Sequence, residues 1–207
     1  MWGYCDRGII QGGNGMSGIS KHEARINEYL EMVHLEKRFA SKITKQLLEK
    51  YCEILHSGNP LITVPLTDEE VEKQKQEMRR EYLHIMQAEG EDVEKEQSLF
   101  VTRVLNTSWI VEKIDMVLGM VADFHDVGSL YREILEESYL NDKIMTVEKM
   151  AVKHSMSESG VRNTRREAIK LFAFYIWAYA QRRESEDIIA GKVSPADAVN
   201  EKLDKAS

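Results

Sequence analysis

Apolar residues recur along most of this chain at steps of three and four, the period of a helix that buries one face. From Ser20 to Leu55 the stripe runs Ile26, Leu30, Val33, Ala40, Ile43, Leu47, Tyr51 and Ile54. Ser20-x-x-Glu23 has the form of a capping box. Gly58 as C-cap and Pro60 beyond it supply a stop. One long helix is therefore expected over 20–55. Leu61 to Pro65 is a short apolar connector. Thr67 caps a second helix, about 68–88, with Asp68, Glu69 and Glu70 in the first turn, where the helix dipole favours anions. Only Val71, Met78, Leu83, Ile85 and Met86 offer burial there, and the interleaved charges read as a solvated face. From Glu94 to Val121 the apolar positions are Phe100, Val104, Thr107, Val111, Ile114, Leu118 and Val121. Their alternating steps of four and three make a heptad-type seam, suited to an antiparallel partner for the first helix or to a dimer. Asp123 to Gly128 is a loop, and Ser129 caps a helix from Leu130 to Ser138.

The stretch from Thr146 to Ala168 has a different organisation. A short helix from Val147 to His154 is followed by a turn at Ser155-Met156-Ser157 and a second helix. That is a helix-turn-helix, the arrangement that presents one helix to a DNA major groove. Ser157 is a good N-cap, because its hydroxyl accepts from a free N–H of the first turn. Met150, Ala151, Met156, Val161 and Ala168 form the expected seam between the two helices. The opposite face holds Glu158, Ser159, Arg162, Asn163 and Arg166. Arg pairs with guanine and Asn with adenine, so this face carries base-edge chemistry. A packed helix pair with a solvated basic face has the same pattern. The second helix continues through Leu171 to Ala180, LFAFYIWAYA, to about Arg183. At about ten residues this apolar run is half a membrane span, and burial is the expected fate.

Composition adds three points. Charged residues make up 30% of the 207, aromatics 8%, and there are 3 Pro, a balance that favours helix over sheet. The net charge of −7 argues against a nucleic-acid binder that uses its whole surface. From Thr146 to Arg183, however, eight Lys and Arg face three Glu, so this segment is +5 and the remainder −12. A basic module on an acidic chain is the footprint expected when a single element touches phosphates. Two Cys, Cys5 and Cys52, are too few for a disulfide framework and fit a reducing cytoplasm.

The first fifteen residues, MWGYCDRGIIQGGNG, are Gly-rich and aperiodic. Gly12-Gly13 ahead of Met16 is what a translated ribosome-binding site would encode, so Met16 is a candidate start and 1–19 a disordered tail. No signal peptide is visible. The six His show no metal spacing with Cys or a second His. His125, between Asp123 and Asp126, is a candidate cation ligand, with a mixed-charge loop the simpler reading. No Walker motif, G-x-S-x-G, H-E-x-x-H or phosphate loop is present. Neither enzymatic activity nor a cofactor is expected.

Val111 to Trp177 resembles the C-terminal part of phage and prophage transcriptional regulators of the ArpU/RinA type, themselves similar to region 4 of bacterial sigma factors. The resemblance rests on Val111 to Leu118, on Leu130, Ile134, Leu135 and Tyr139, and on Thr146-Val147 with Met150-Ala151. Met156-Ser157-Glu158-Ser159 with Val161, Arg165 and Ala168 completes it. It covers about a third of the chain. It implies a recognition helix capped by Ser157, with Glu158, Ser159, Arg162 and Asn163 toward bases and Arg165, Arg166 and Lys170 toward phosphates. Segments 61–98 and 184–207 have no counterpart, and no promoter-melting region is visible.

The expectation is an all-α protein. A helical or coiled-coil arm for oligomerisation spans 20–122, a sigma-region-4-like helix-turn-helix 129–183, and a polar tail 184–207, where Ser194-Pro195 starts a last short helix. The function expected is sequence-specific binding of double-stranded DNA by a cytoplasmic transcriptional regulator, a homodimer in contact with RNA polymerase and not with a membrane. The alternatives are a recognition subunit for phage DNA packaging, of the small-terminase type, and a polymerase-binding module that does not read DNA.

Overall fold

The structure, a computed structural model, describes residues 20–56, 67–87, 101 and 108–192. The expectations for the N-terminal tail and Met16, the Gly58 and Pro60 stop, the connector at 61–65 and a helix at Ser194 lie outside the described residues. So does most of the 94–107 part of the heptad seam. Among the described residues there are seven α-helices and no strand. They are α1 (Lys21–Met32), α2 (Lys37–His56), α3 (Asp68–Gln87), α4 (Ser108–Ala122), α5 (Gly128–Leu135), α6 (Val147–Lys153) and α7 (Glu158–Ile189). A 3₁₀ turn, His125–Val127, precedes α5, and a π-helical turn, Glu136–Leu140, follows it.

The expected all-α class is what forms, and its organising element is α7. This helix has 32 residues, about 48 Å at the ordinary rise. All six other helices pack on it. Its apolar run supplies the reason: Leu171, Phe172, Ala173, Ile176 and Ala180 are fully buried. They share one core with Ile26 and Leu30 of α1, Ile43, Leu47 and Leu48 of α2, Tyr82 and Met86 of α3, and Ile114, Val117 and Val121 of α4. The described helices of the 20–122 region are thus not a free-standing arm. Its apolar stripes close on α7 within the chain, so they do not require a second subunit. Among the described residues no helix is long and apolar enough to cross a membrane.

The single helix expected over 20–55 is two helices. The stripe continues across the break, because Leu35 between them is itself buried. His34 takes a left-handed backbone, φ 56°. The Leu35 N–H then donates to the Leu30 carbonyl at 2.9 Å, closing the end of α1. Glu36 restarts the chain as α2 by accepting from the backbone N–H groups of Arg38 and Phe39. The sequence offered no glycine at this bend, which is why periodicity ran straight through it.

One further boundary moves for an electrostatic reason. The helix expected to end near Arg183 continues to Ile189. Glu184 and Asp187, assigned by sequence to a polar tail, are buried and meet Arg79 and Arg80 of α3. The charge-rich face of α3 is therefore partly an interior ion-pair surface. At Thr67 the capping box is complete: its N–H donates to Glu70 Oε2 at 2.8 Å, and its hydroxyl accepts from the Glu70 N–H at 3.3 Å. Ser129 does not cap α5, which starts at Gly128, two residues before the expected Leu130, with no side-chain cap. Gly128 begins it because a Cβ there would stand 2.4 Å from the Ala122 carbonyl oxygen.

Candidate nucleic-acid interface

The helix-turn-helix forms at the positions its pattern marks. Thr146 caps α6, accepting from the Lys149 N–H at 3.4 Å. Ser157 caps α7, accepting from the Gly160 N–H at 3.1 Å. In the turn, Ser155 adopts φ 54°, and the Met156 N–H donates to the Ala151 carbonyl at 2.9 Å. This is the closure already seen at the end of α1, again without glycine. It turns Met156 inward. Ile134, Met150, Ala151 and Val161 form a small core of their own, with Leu130, Met145, Val147 and Met156 packed around it. Four of the five expected seam residues meet there. The fifth, Ala168, belongs instead to the main core.

A polar lock reinforces this unit. Glu137, on the π-helical turn, is buried. It binds Lys153, and His154 Nε2 lies 2.9 Å from its second oxygen. Burial alone would raise the Glu137 carboxyl, but the hydrogen bonds and charges of Lys153 and His154 outweigh it and hold the group below the ordinary carboxylate value. The ligating atoms of Glu133, Glu137 and His154 lie within 4.8 Å of one another. Both Glu137 oxygens are already engaged, so the trio reads as a hydrogen-bonded clasp between α6 and the π turn. Nothing in the sequence marks it, because its members are spread over twenty-two positions.

The expected site residues fall into three groups. Ser157, Glu158, Ser159, Arg162, Asn163 and Arg166 are exposed on the first turns of α7 and its cap. Glu158 accepts from Arg162 at 2.8 Å, an exposed i,i+4 pair that a ligand can displace cheaply. The hydroxyls of Ser157 and Ser159 are 3.0 Å apart. Arg165 is half-buried beside Tyr139. Lys170 departs from expectation. It is buried, and its ammonium donates to Glu23 at 2.9 Å and Asn27 at 3.1 Å, both on α1. A phosphate cannot reach it without breaking that pair, so Lys170 is a structural cation. Arg166 lies 3.5 Å from the same Glu23 carboxylate but keeps a half-exposed side chain.

The main addition comes from α2. Arg38, Lys42 and Lys45 stand across a groove of about 380 Å³ from Arg162, Arg165 and Arg166. Ser41, Tyr139 and Ile169 also line it, and among the described residues no carboxylate does. The sequence had assigned the α2 cations to an oligomerisation arm. Their i, i+4 and i, i+7 spacing was visible, but their facing α7 was not.

A second concavity, near the start of α1, is of mixed sign: Lys21, Arg25 and His22 lie beside Glu28 and Asp126. Arg25 donates to His125 Nε2 at 2.8 Å in this exposed pair. A guanidinium beside that ring disfavours a metal cation, so the cation-ligand reading of His125 gives way to the mixed-charge loop.

Compared with known protein families, curated proteins and solved structures, the chain matches none.

Proposed function

We propose that this protein is a sequence-specific DNA-binding regulator of transcription that lays the first turns of α7 in the major groove. One observation carries the reading: Ser159, Arg162 and Asn163 stand exposed at the capped N-terminal end of a helix held by its own small core. Those side chains have the donors and acceptors that discriminate base edges. The capped end of α7 also directs its dipole toward an approaching phosphate. Arg166 serves the backbone, because it lies one turn farther from the tip and its side chain stays half-exposed.

Selection of bound sequences from a random duplex pool tests this reading. The wild-type chain is expected to enrich a defined site. Arg162→Ala is expected to relax preference at one base position by about 1–3 kcal/mol, leaving the other positions intact. Enrichment of no site by the wild-type chain overturns the reading. Polymerase binding without a DNA footprint would support the interaction-module alternative instead.

A further inference from the structure

We infer that the groove between α2 and α7 is a second DNA contact, in which Arg38, Lys42 and Lys45 grip the phosphate backbone beside the recognition helix. The inference rests on the DNA-binding reading above and adds to it a partner surface from the N-terminal part of the chain.

Among the described residues six cations line the groove and no anion does, in a protein whose net charge is −7. Local charge is therefore strongly opposed to global charge at this one place. Arg38, Lys42 and Lys45 are exposed along α2. Among the described residues the guanidinium groups of Arg38 and Arg165 have no ion-pair or hydrogen-bond partner. The carboxylate neighbours of Lys45 and Arg162 are exposed i,i+4 residues, Glu49 at 3.6 Å and Glu158 at 2.8 Å. Such pairs contribute little and yield readily to a stronger anion. Buried Tyr139 and Ile169 form the apolar floor. One-signed walls over a poorly polarisable floor focus the field and draw in anions.

The shape favours a polymer of phosphates. Arg38 and Lys45 are seven residues apart, about 10 Å along the helix axis. At 3.4 Å of duplex axis per phosphate on one strand, that span matches about three phosphate steps. The opposite wall is the base-reading helix itself, through Arg162 and Arg166. A duplex engaging α7 therefore brings its backbone past α2.

The experiment is a fluorescence-anisotropy titration of the full chain against a pool of random-sequence DNA duplexes over a series of NaCl concentrations. It compares the triple variant Arg38→Ala/Lys42→Ala/Lys45→Ala with Lys21→Ala/Lys73→Ala/Lys192→Ala. The latter removes the same charge from exposed positions outside the groove. The groove variant is expected to lose about two to three from the slope of log K against log[salt], at about 0.9 per phosphate contact. The control is expected to lose less than one. A version with glutamine at all three groove positions reads the same way if the alanine triple folds poorly, and circular dichroism monitors both. A wild-type slope in the groove variant, or an equal loss in the control, overturns the inference while leaving the α7 reading intact. No duplex binding by the wild-type chain overturns both. Tripolyphosphate binding in the groove more tightly than duplex would reassign it to a small polyanion and overturn the backbone contact.

Discussion

The Lys170 ammonium donates to the Glu23 carboxylate at 2.9 Å, joining the middle of α7 to the first turn of α1. The pair sits among other polar contacts between the same elements. Ser20 caps α1 and also donates to Glu167 of α7 at 3.0 Å, and the second Glu167 oxygen accepts from Tyr131. A residue that sequence placed on the DNA face is thus part of what fixes α1 against α7.

Lys170→Met is expected to lower stability by about 1–3 kcal/mol, because it leaves a buried carboxylate with only the more distant Arg166. Burial acts to raise the Glu23 pKa, but Lys170 and Arg166 outweigh it and hold the group below its ordinary 4.5. A depressed folded-state value means that the pair stabilises fully above 4.5 and loses this contribution as pH falls through the lower folded value. Urea midpoints measured from pH 7 downward should therefore show a shallower acid loss in the variant than in the wild type. An unchanged midpoint at pH 7 would remove Lys170 from any structural role.

Arg79 is buried between Glu184 and Asp187, with Arg80 2.7 Å from the other Glu184 oxygen. Removing one partner of a buried pair strands the remaining charge. Arg79→Met should therefore cost about 3–5 kcal/mol and separate α3 from the end of α7. Hydrogen exchange is the sharper measurement: amides at 182–189 should lose protection before those at 161–176. Uniform loss over α7 would show that the two ends unfold as one.

Ser155 holds φ 54° in the turn between α6 and α7, a conformation with a steric cost for any residue bearing a Cβ. Ser155→Gly is expected to stabilise the protein by about 0.5–1 kcal/mol. Thermal unfolding reads the change, and a lower melting temperature would show that the serine side chain contributes something that outweighs the strain.

Periodicity and capping residues carried much of the local structure. Ser20, Thr67 and Ser157 cap the helices they were expected to cap, because an N-cap bond spans only three residues and needs no distant partner. The apolar run 171–180 packs into the core, with Leu171, Phe172, Ala173, Ile176 and Ala180 buried and the rest partly so. The small seam of Met150, Ala151, Met156 and Val161 was likewise legible, since helix spacing alone brings these residues together.

Tertiary structure decided what depends on partners far along the chain. Whether a cation is a buried strut or an open hand depends on the carboxylate opposite it. Lys170 meets Glu23 at a separation of 147 residues, whereas Arg38, with the same apparent chemistry, meets none among the described residues. The bend at His34 escaped detection because its signal is a backbone angle that glycine would have announced and histidine does not. The basic groove escaped it too, since half of its cations lie on a helix whose sequence specifies only that it has a buried face. Which helix α2 would face was settled by α7, the long apolar element on which the other helices close.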